Sequence, residues 1–336
     1  MDIYDSKERE AVYIWEDGEY DYPAAYGFRP NLRAFIHPDD GIIRGCMLVV
    51  PGGGYCMCTP FEGEAVALEY YGRGMNTFVL TYTTDITMSV PLKKQPMHDL
   101  SRAIRYIRKN SEAYNVDPKK ITICGFSAGG HLCACNAVHF DEEEDVNDIY
   151  AGISDRPDAV ILGYPVITAG EYTHIWSIQA LVGKNPSAEE LDYFSAEKNV
   201  KENTPPCFIW QTLLDTCVPV ENSYLFAKAL REKKIKFAQY VFPEGEHGLS
   251  LASKDIFTRK ERGEYVLEQL GLTLEHIKNH TEINVSEERH EELMNQFFAP
   301  KKENEGAPAQ GAPVDYSGDV GMWPELAAVW LGRIFS

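Results

Sequence analysis

Short apolar runs alternate along the chain with segments whose apolar residues recur every three or four positions. The runs are rich in β-branched and aromatic residues and are bounded by turn-forming residues, which is typical of buried strands. They lie at 46–50, 77–82, 121–124, 159–164, 206–212 and 237–242. Helical patterns between them include 62–72 and 96–114. This alternation predicts an α/β fold with a mostly parallel central sheet and helices on both faces.

The N-terminal residues and the chain length complete this outline. Residues 1–44 carry turn signals at Asp17–Gly18 and Asp39–Gly41, which predict short antiparallel strands. A chain of 336 residues could hold two domains, but the candidate motifs are threaded through a single predicted sheet. We therefore expect one domain over residues 1–336.

Two stretches do not fit the strand–helix alternation. Residues 165–203 separate two predicted strands and predict a small cap-like insertion, whose aromatic residues could stack on a sugar ring or fill the cap's own core. Residues 254–318 predict an irregular insertion before an amphipathic C-terminal helix at 323–335. Within it, 300–313 is rich in Pro, Gly and Ala and predicts a flexible or extended linker. This insertion could cover a site, support a dimer contact or have no function.

The apolar run that begins at Ile121 leads into Gly125-Phe126-Ser127-Ala128-Gly129, and a helical pattern follows. Strand, sharp turn and helix around G-x-S-x-G form the nucleophile-elbow pattern. The turn lifts the serine hydroxyl above the sheet, and the flanking glycines avoid collisions with neighbouring elements. The helix start directs N–H groups and its positive dipole end at developing negative charge. The pattern makes Ser127 a candidate nucleophile.

An acid and a base follow two later predicted strands. Asp215 comes shortly after the 206–212 strand, and His247 comes shortly after the 237–242 strand. The order Ser127, Asp215, His247 is that of α/β hydrolases. In such a triad His247 would accept the serine proton, while Asp215 would hold the imidazole in the needed tautomer. The sequence therefore predicts these three residues as the catalytic group.

A glycine-rich loop follows the 46–50 strand and reads Pro51-Gly52-Gly53-Gly54-Tyr55. In α/β hydrolases this loop supplies main-chain donors to the oxyanion, and glycine allows close approach to the substrate oxygen. By position, the amides of Gly53, Gly54 and Ala128 would form the oxyanion hole. An ordinary glycine-rich turn is the alternative, and a phosphate loop is disfavoured because no Lys-Ser/Thr pair follows.

Taken together, these segments resemble α/β-hydrolase-fold serine esterases, in particular the acetyl-esterase and acetylxylan-esterase-like branch. The likeness extends from about residue 45 to 252 and rests on 50–55, 125–131, 204–212, 215–223 and 242–249. One departure is Pro51, where the family often has histidine, and another is Cys217, where a polar residue is common. We expect Cys217 to be a buried small hydrophobe.

The resemblance implies a carboxylic ester hydrolase that removes short acyl groups, in particular acetyl from xylo-oligosaccharides or related sugars. The alternatives are other small or aromatic (feruloyl-type) esters, or a non-enzymatic binding protein that keeps the fold. The mechanism needs no cofactor and no metal. Tyr55 and Trp176 are candidate substrate contacts. The sequence leaves open whether the chain forms a homo-oligomer.

Charge and hydropathy limit the partners. The formal net charge is −19, from 32 basic and 51 acidic side chains, which argues against nucleic acid and anionic membranes as partners. A small-molecule or oligosaccharide ester fits better. The sequence contains no apolar run of 18 residues that would predict a transmembrane helix, and its first eight residues are polar and acidic rather than a signal peptide.

The cysteines and two further patterns have simple structural interpretations. The eight cysteines show no zinc-ligand spacing, and free thiols without a signal peptide predict a cytoplasmic location: Cys46, Cys56, Cys58, Cys124, Cys133, Cys135, Cys207 and Cys217. We expect His131 to pack within the helix after the elbow rather than act as a base. The acidic run Asp141–Asp145 predicts a solvated loop.

Overall fold

The computed structural model describes residues 10–142, 145–253, 263–279, 285–299 and 318–336. The strands within this part of the chain are β1 (Val12–Tyr13), β2 (Asn31–Phe35), β3 (Arg44–Val50), β4 (Asn76–Thr81), β5 (Val116–Phe126), β6 (Ala159–Gly163), β7 (Cys207–Thr212) and β8 (Phe237–Phe242). The α-helices are α1 (Glu64–Gly72), α2 (Gln95–Lys109), α3 (Ser127–His139), α4 (Ile175–Val182), α5 (Ala188–Tyr193), α6 (Glu221–Glu232), α7 (Glu268–Lys278), α8 (Glu287–Phe298) and α9 (Trp323–Ile334).

The strands form one mixed sheet in the order β1-β2-β4-β3-β5-β6-β7-β8. β1 pairs with β2, and β2 with β4, in antiparallel fashion, whereas all pairs from β4 through β3 to β8 are parallel. The predicted mostly parallel sheet is confirmed, and the topology is that of the α/β-hydrolase fold. Helix α2 ends at Lys109, several residues short of its predicted end, because a turn over 110–115 leads directly into β5.

The chain reverses its direction of travel across the sheet between β3 and β5. From β3 it moves to β4 through α1, then crosses to the far side of β3 through α2 and continues in that direction through β6, β7 and β8. Right-handed crossovers place α1 on one face and α2 and α3 on the other. The carboxyl ends of β3 and β5 flank the point of reversal, where ligands bind in open α/β sheets.

The centre of the sheet is fully buried because helices cover it. Helix α9 covers β6 and β7, and its Trp323 stacks on Trp210 with ring centroids 5.2 Å apart and an interplanar angle of 16°. The Trp323 indole N–H donates to the Ser250 carbonyl oxygen at 2.8 Å. The C-terminal helix therefore supports the loop that follows β8.

Both predicted insertions contain helices. The cap-like region 165–203 carries α4 and α5 between β6 and β7. In the 254–318 region, where the sequence predicts an irregular insertion, the described residues include two regular helices, α7 and α8. They form a small apolar cluster with Ile86 and pack against Cys56 and Met57 of the loop after β3. The linker predicted at 300–313 lies outside the described residues.

Burial corrects two smaller expectations. Cys217 is exposed, because it lies in the turn after β7 rather than inside the sheet, whereas the cysteines of the central strands are buried as expected. The Asp141–Asp145 run is not simply solvated: Asp145 pairs with the buried guanidinium of Arg102. No helix in the described part of the chain has both the length and the apolar character needed to span a membrane.

Candidate active site

The candidate nucleophile lies at the junction of β5 and α3. Ser127 adopts a left-handed backbone conformation with φ of 50°, which is strained for a residue other than glycine. The turn is possible only because glycine flanks it: a Cβ at Gly125 would lie 2.3 Å from the Gly129 carbonyl oxygen, and one at Gly129 would lie 2.2 Å from the Val50 carbonyl oxygen. The sharp turn directs the Ser127 hydroxyl toward the carboxyl edge of the sheet.

Three side chains from three different loops meet at this point. His247 Nε2 lies 2.8 Å from Ser127 Oγ, and His247 Nδ1 lies 2.7 Å from Asp215 Oδ2. The other Asp215 oxygen accepts the N–H groups of Cys217 and Val218 at 3.0 and 2.8 Å. The Asp215 side chain is fully buried, and that of His247 is 19% exposed. A carboxylate acceptor at Nδ1 favours the tautomer whose Nε2 lone pair faces the serine hydroxyl.

The glycine-rich loop after β3 lies directly against the serine. A Cβ at Gly52 would lie 3.0 Å from Ser127 Cβ, and Gly53 and Gly54 have φ values of 119° and 65°. Within the described chain, the Gly53 and Gly54 amides donate to no protein acceptor. Ala128 lies in the first turn of α3, where backbone N–H groups have no partner inside the helix. Ala128 directly follows Ser127, and Gly53 and Gly54 follow the glycine that lies against it.

Glu62 and Tyr164 also belong to this region, and neither was predicted from the sequence. Glu62 Oε2 accepts the Gly52 N–H at 2.8 Å, and its Oε1 accepts the Tyr164 hydroxyl at 2.6 Å. Burial raises the pKa of the Glu62 carboxyl, against the opposing effects of the Tyr164 hydrogen bond and of His247. Tyr164 directly follows β6, so the rule that site residues follow parallel strands could have found it. Glu62 carries no such local signal.

The two candidate substrate contacts lie in different environments. The Tyr55 side chain is 1% exposed, and its hydroxyl lies 2.8 Å from His131 Nδ1. The expectation that Tyr55 contacts substrate is therefore corrected: its ring is buried under the loop, with His131 as partner. Burial lowers the pKa of His131 to about 4, and its Nε2 lies 2.7 Å from the Phe194 carbonyl oxygen, in agreement with a packing role.

Trp176 is 59% exposed on the cap helix α4. It lines a groove of about 420 Å³ between α4, the loop after β4, and α8. The polar residues of this groove include Ser89, Gln179, Lys184, Glu288, Arg289 and Glu292. An exposed indole beside planar polar groups can bind a sugar ring by stacking and hydrogen bonding.

The start of α4 faces the catalytic group through His174 and Ser177, which were not among the residues predicted for the site. A Cβ at Gly54 would lie 3.9 Å from Ser177 Oγ, which in turn lies 2.8 Å from His174 Nδ1. Burial lowers the pKa of His174, and the nearby imidazole of His247 lowers it further. The cap therefore forms one wall of the site, beside the oxyanion loop.

Comparisons with known proteins agree with this geometry. The BD-FAE family model matches residues 44–230. Over 256 residues, 76% of this chain, the sequence is 64% identical to endo-1,4-beta-xylanase B of Butyrivibrio fibrisolvens. Over 213 residues, 61% of this chain, it is 29% identical to an acetylxylan esterase of Xylanibacter ruminicola. These matches cover 40% and 41% of the two relatives, so the chain spans about two fifths of their length.

One solved structure is similar to this chain over nearly the whole length of the solved chain. The crystal structure of an acetyl ester-xyloside bifunctional hydrolase from Caldicellulosiruptor lactoaceticus has a TM-score of 0.68 and 37% sequence identity. The match covers 78% of this chain and 97% of that one. The shared region therefore includes almost all of a hydrolase that has been solved as a separate chain.

Proposed function

The chain belongs to the BD-FAE family, and from this premise we propose that it is a serine carboxylic-ester hydrolase. The single observation that carries the proposal is the hydrogen-bonded line from Asp215 through His247 to Ser127. A binding protein that only kept the fold would have no use for a strained serine, a correctly placed imidazole and a buried carboxylate together. Esterase relatives support the same reaction class.

The proposed reaction proceeds through an acyl-enzyme. His247 Nε2 accepts the Ser127 proton as Oγ bonds to the acyl carbon, and the carbonyl oxygen becomes negatively charged within reach of the Gly53, Gly54 and Ala128 amides. The resulting imidazolium donates its proton to the alcohol oxygen as the bond between that oxygen and the acyl carbon breaks. Water then attacks the acyl carbon, losing its proton to His247, and the acid is released as Ser127 recovers its proton.

We further propose an acetylated xylo-oligosaccharide or related sugar as the substrate. The names of two relatives support this choice, since one is an acetylxylan esterase and another is an acetyl ester-xyloside hydrolase. The groove that Trp176 lines borders the same cap helix that faces the oxyanion loop, so a sugar attached to the scissile oxygen could extend along it. A neutral sugar also suits a protein with a net charge of −19.

The test compares the full chain with Ser127→Ala on two esters. We expect the wild-type protein to release acetate from acetylated xylotetraose and to hydrolyse 4-nitrophenyl acetate. Ser127→Ala should lose at least about 10³-fold in kcat on both, because the covalent step has no nucleophile. A fluorophosphonate probe should add its mass to the peptide that contains Ser127. Turnover that survives the substitution would exclude Ser127 as nucleophile, and activity on the aryl ester alone would exclude the sugar substrate.

A further inference from the structure

Glu62 is a buried carboxylate directly behind the oxyanion loop. It ends a short 3-10 turn, Pro60–Glu62, and is 2% exposed. Each of its oxygens accepts one hydrogen bond, from the Gly52 amide and from the Tyr164 hydroxyl. Both donors are neutral, and within the described residues no Lys or Arg forms an ion pair with it. Burying an ionised carboxylate without a cation is costly, so a charge on Glu62 would need an explanation beyond packing.

The carboxylate lies close to two members of the catalytic group. The point at which a Cβ on Gly52 would lie is 2.8 Å from Glu62 Oε2 and 3.0 Å from Ser127 Cβ. The ring of Tyr164, whose hydroxyl donates to Glu62, packs edge-on against the imidazole of His247 with centroids 4.9 Å apart. The same hydroxyl accepts the Ser250 N–H at 2.9 Å. Glu62 is thus connected to the oxyanion loop, to the histidine and to the histidine loop.

We propose that ionised Glu62 is a positioning residue that stabilises the His247 imidazolium during acyl transfer and fixes the oxyanion loop through Gly52. This inference rests on the proposed function, because it assigns His247 the role of general base. When His247 takes the serine proton, the new positive charge lies near two carboxylates, Asp215 in direct contact and Glu62 behind Tyr164. In this sparsely solvated region the attraction is stronger than in water.

Hydrogen bonds to Gly52 also fix the oxyanion loop. Both polar groups of the Gly52 backbone are used, since its N–H donates to Glu62 and its carbonyl accepts the Thr59 N–H at 3.0 Å. With Gly52 held at both groups, the next peptide is oriented and the Gly53 amide remains free for the substrate. Donors that are already oriented need no reorganisation when the oxyanion forms.

The His, Cys and Tyr side chains around the pair favour their uncharged forms near neutral pH. Burial lowers the pKa of His174, which faces His247 from the cap. Burial raises the pKa of Cys58 to about 12, and it raises the pKa of both Tyr82 and Tyr164 well above the usual value. Glu244 and Glu246 precede His247 but are exposed to solvent, which screens them. Asp215 and Glu62 are therefore the carboxylates that act on the imidazolium.

The test is the pH dependence of kcat/KM for 4-nitrophenyl acetate in Glu62→Gln. Removing the negative charge while keeping the side-chain volume should make the His247 imidazolium less stable. The acidic limb of the kcat/KM profile should therefore move to lower pH by about one unit. The plateau value of kcat/KM should fall about tenfold. Glu62→Asp keeps the charge, so its acidic limb should stay near that of the wild type even where the plateau falls.

Glu197→Gln is the matched control, because it removes a partly buried carboxylate of the cap that hydrogen bonds to Thr168 rather than to the catalytic group. It should leave the acidic limb unchanged. A Glu62→Gln protein that folds and loses activity without a shift of the limb would reduce Glu62 to a structural role and overturn the proposal.

Two NMR measurements separate this inference from the proposed function. In the wild-type protein, the ¹³C signal of the Glu62 carboxyl should show the ionised form throughout the active pH range, and a neutral carboxyl there would overturn the proposal even if Glu62→Gln fails to fold. The His247 ring can be titrated in both proteins without any substrate. If the wild type hydrolyses no ester, the proposed function fails, while an unchanged His247 titration in Glu62→Gln would separately refute the role of Glu62.

Discussion

Ser127 has a strained, left-handed backbone conformation, and the two flanking glycines make it sterically possible. Gly125 and Gly129 have no room for a Cβ, because such an atom would lie 2.3 and 2.2 Å, respectively, from a neighbouring carbonyl oxygen. The cost of strain at one residue is on the order of 1–3 kcal/mol, which the surrounding sheet and helix can supply. In return the hydroxyl of Ser127 stands at hydrogen-bond distance from His247.

Asp215→Asn should reduce kcat by about 10³- to 10⁴-fold with little change in fold. An asparagine oxygen can still accept the Cys217 and Val218 amides, but its NH₂ would face His247 Nδ1 and place the proton on Nε2. That nitrogen could no longer accept the serine proton. Steady-state kinetics on 4-nitrophenyl acetate, with circular dichroism as the folding control, measures the effect. A kcat within tenfold of wild type would contradict the role of Asp215.

His131 makes unfolding dependent on pH. Burial depresses its pKa to about 4, below the ordinary value of 6.5, so between these values the unfolded chain binds a proton that the folded chain excludes. The unfolded state is favoured as pH falls, and the free energy of unfolding should drop by up to about 1.4 kcal/mol per pH unit from this group. The contribution of neutral His131 to the free energy of unfolding is fully present above pH 6.5.

Urea titrations at a series of pH values test this prediction. In His131→Gln the slope of unfolding free energy against pH between pH 6.5 and 4 should be smaller than in the wild type, whatever the absolute stability. An identical slope in the two proteins would show that His131 is not the responsible group.

At the scale of elements, the loops at the carboxyl ends of the parallel strands bring the site together. The proposed oxyanion loop, nucleophile, acid and base follow β3, β5, β7 and β8, respectively. Helix α4 covers the site from the cap, and the α7–α8 pair packs behind the oxyanion loop. The parallel strands therefore provide a rigid base, and the inserted helices shape the space above it.

Trp176→Ala should raise KM for acetylated xylotetraose about tenfold and leave kcat/KM for 4-nitrophenyl acetate within twofold of wild type. The small ester does not reach the groove, whereas a sugar chain loses the stacking surface of the indole. Ile175→Ala is the matched control, because Ile175 is the neighbouring residue on α4, is also exposed and does not line the groove. Equal effects of both substitutions on the oligosaccharide would refute a specific role for Trp176.

At the scale of the whole molecule, the net charge of −19 governs encounter with substrates. Long-range repulsion slows the approach of anionic esters and leaves neutral ones unaffected, and salt screens it. The kcat/KM for 4-nitrophenyl acetate should change less than about twofold between 20 and 500 mM NaCl, whereas that for an anionic ester should rise several-fold. A fall with added salt for the anionic ester would indicate a locally positive entrance.

Much of this protein could be predicted from its sequence, because the relevant information is local. Apolar runs bounded by turn residues predicted the central strands to within a few residues, and G-x-S-x-G marked the turn at Ser127 because its steric constraints act between neighbours. The places of Asp215 and His247 followed from their position after strands. The Cys217 prediction failed because exposure depends on how a turn lies on the surface.

What the sequence determined by itself is therefore the order of elements, the parallel sheet and the residues at strand ends, since these follow from periodicity and short-range sterics. Only the tertiary structure decided which groups meet across long separations. It placed Glu62 behind Gly52 and Tyr164, buried Tyr55 against His131, and brought α7 and α8 against the oxyanion loop. Such contacts depend on how layers pack in three dimensions, and no periodicity along the chain records them.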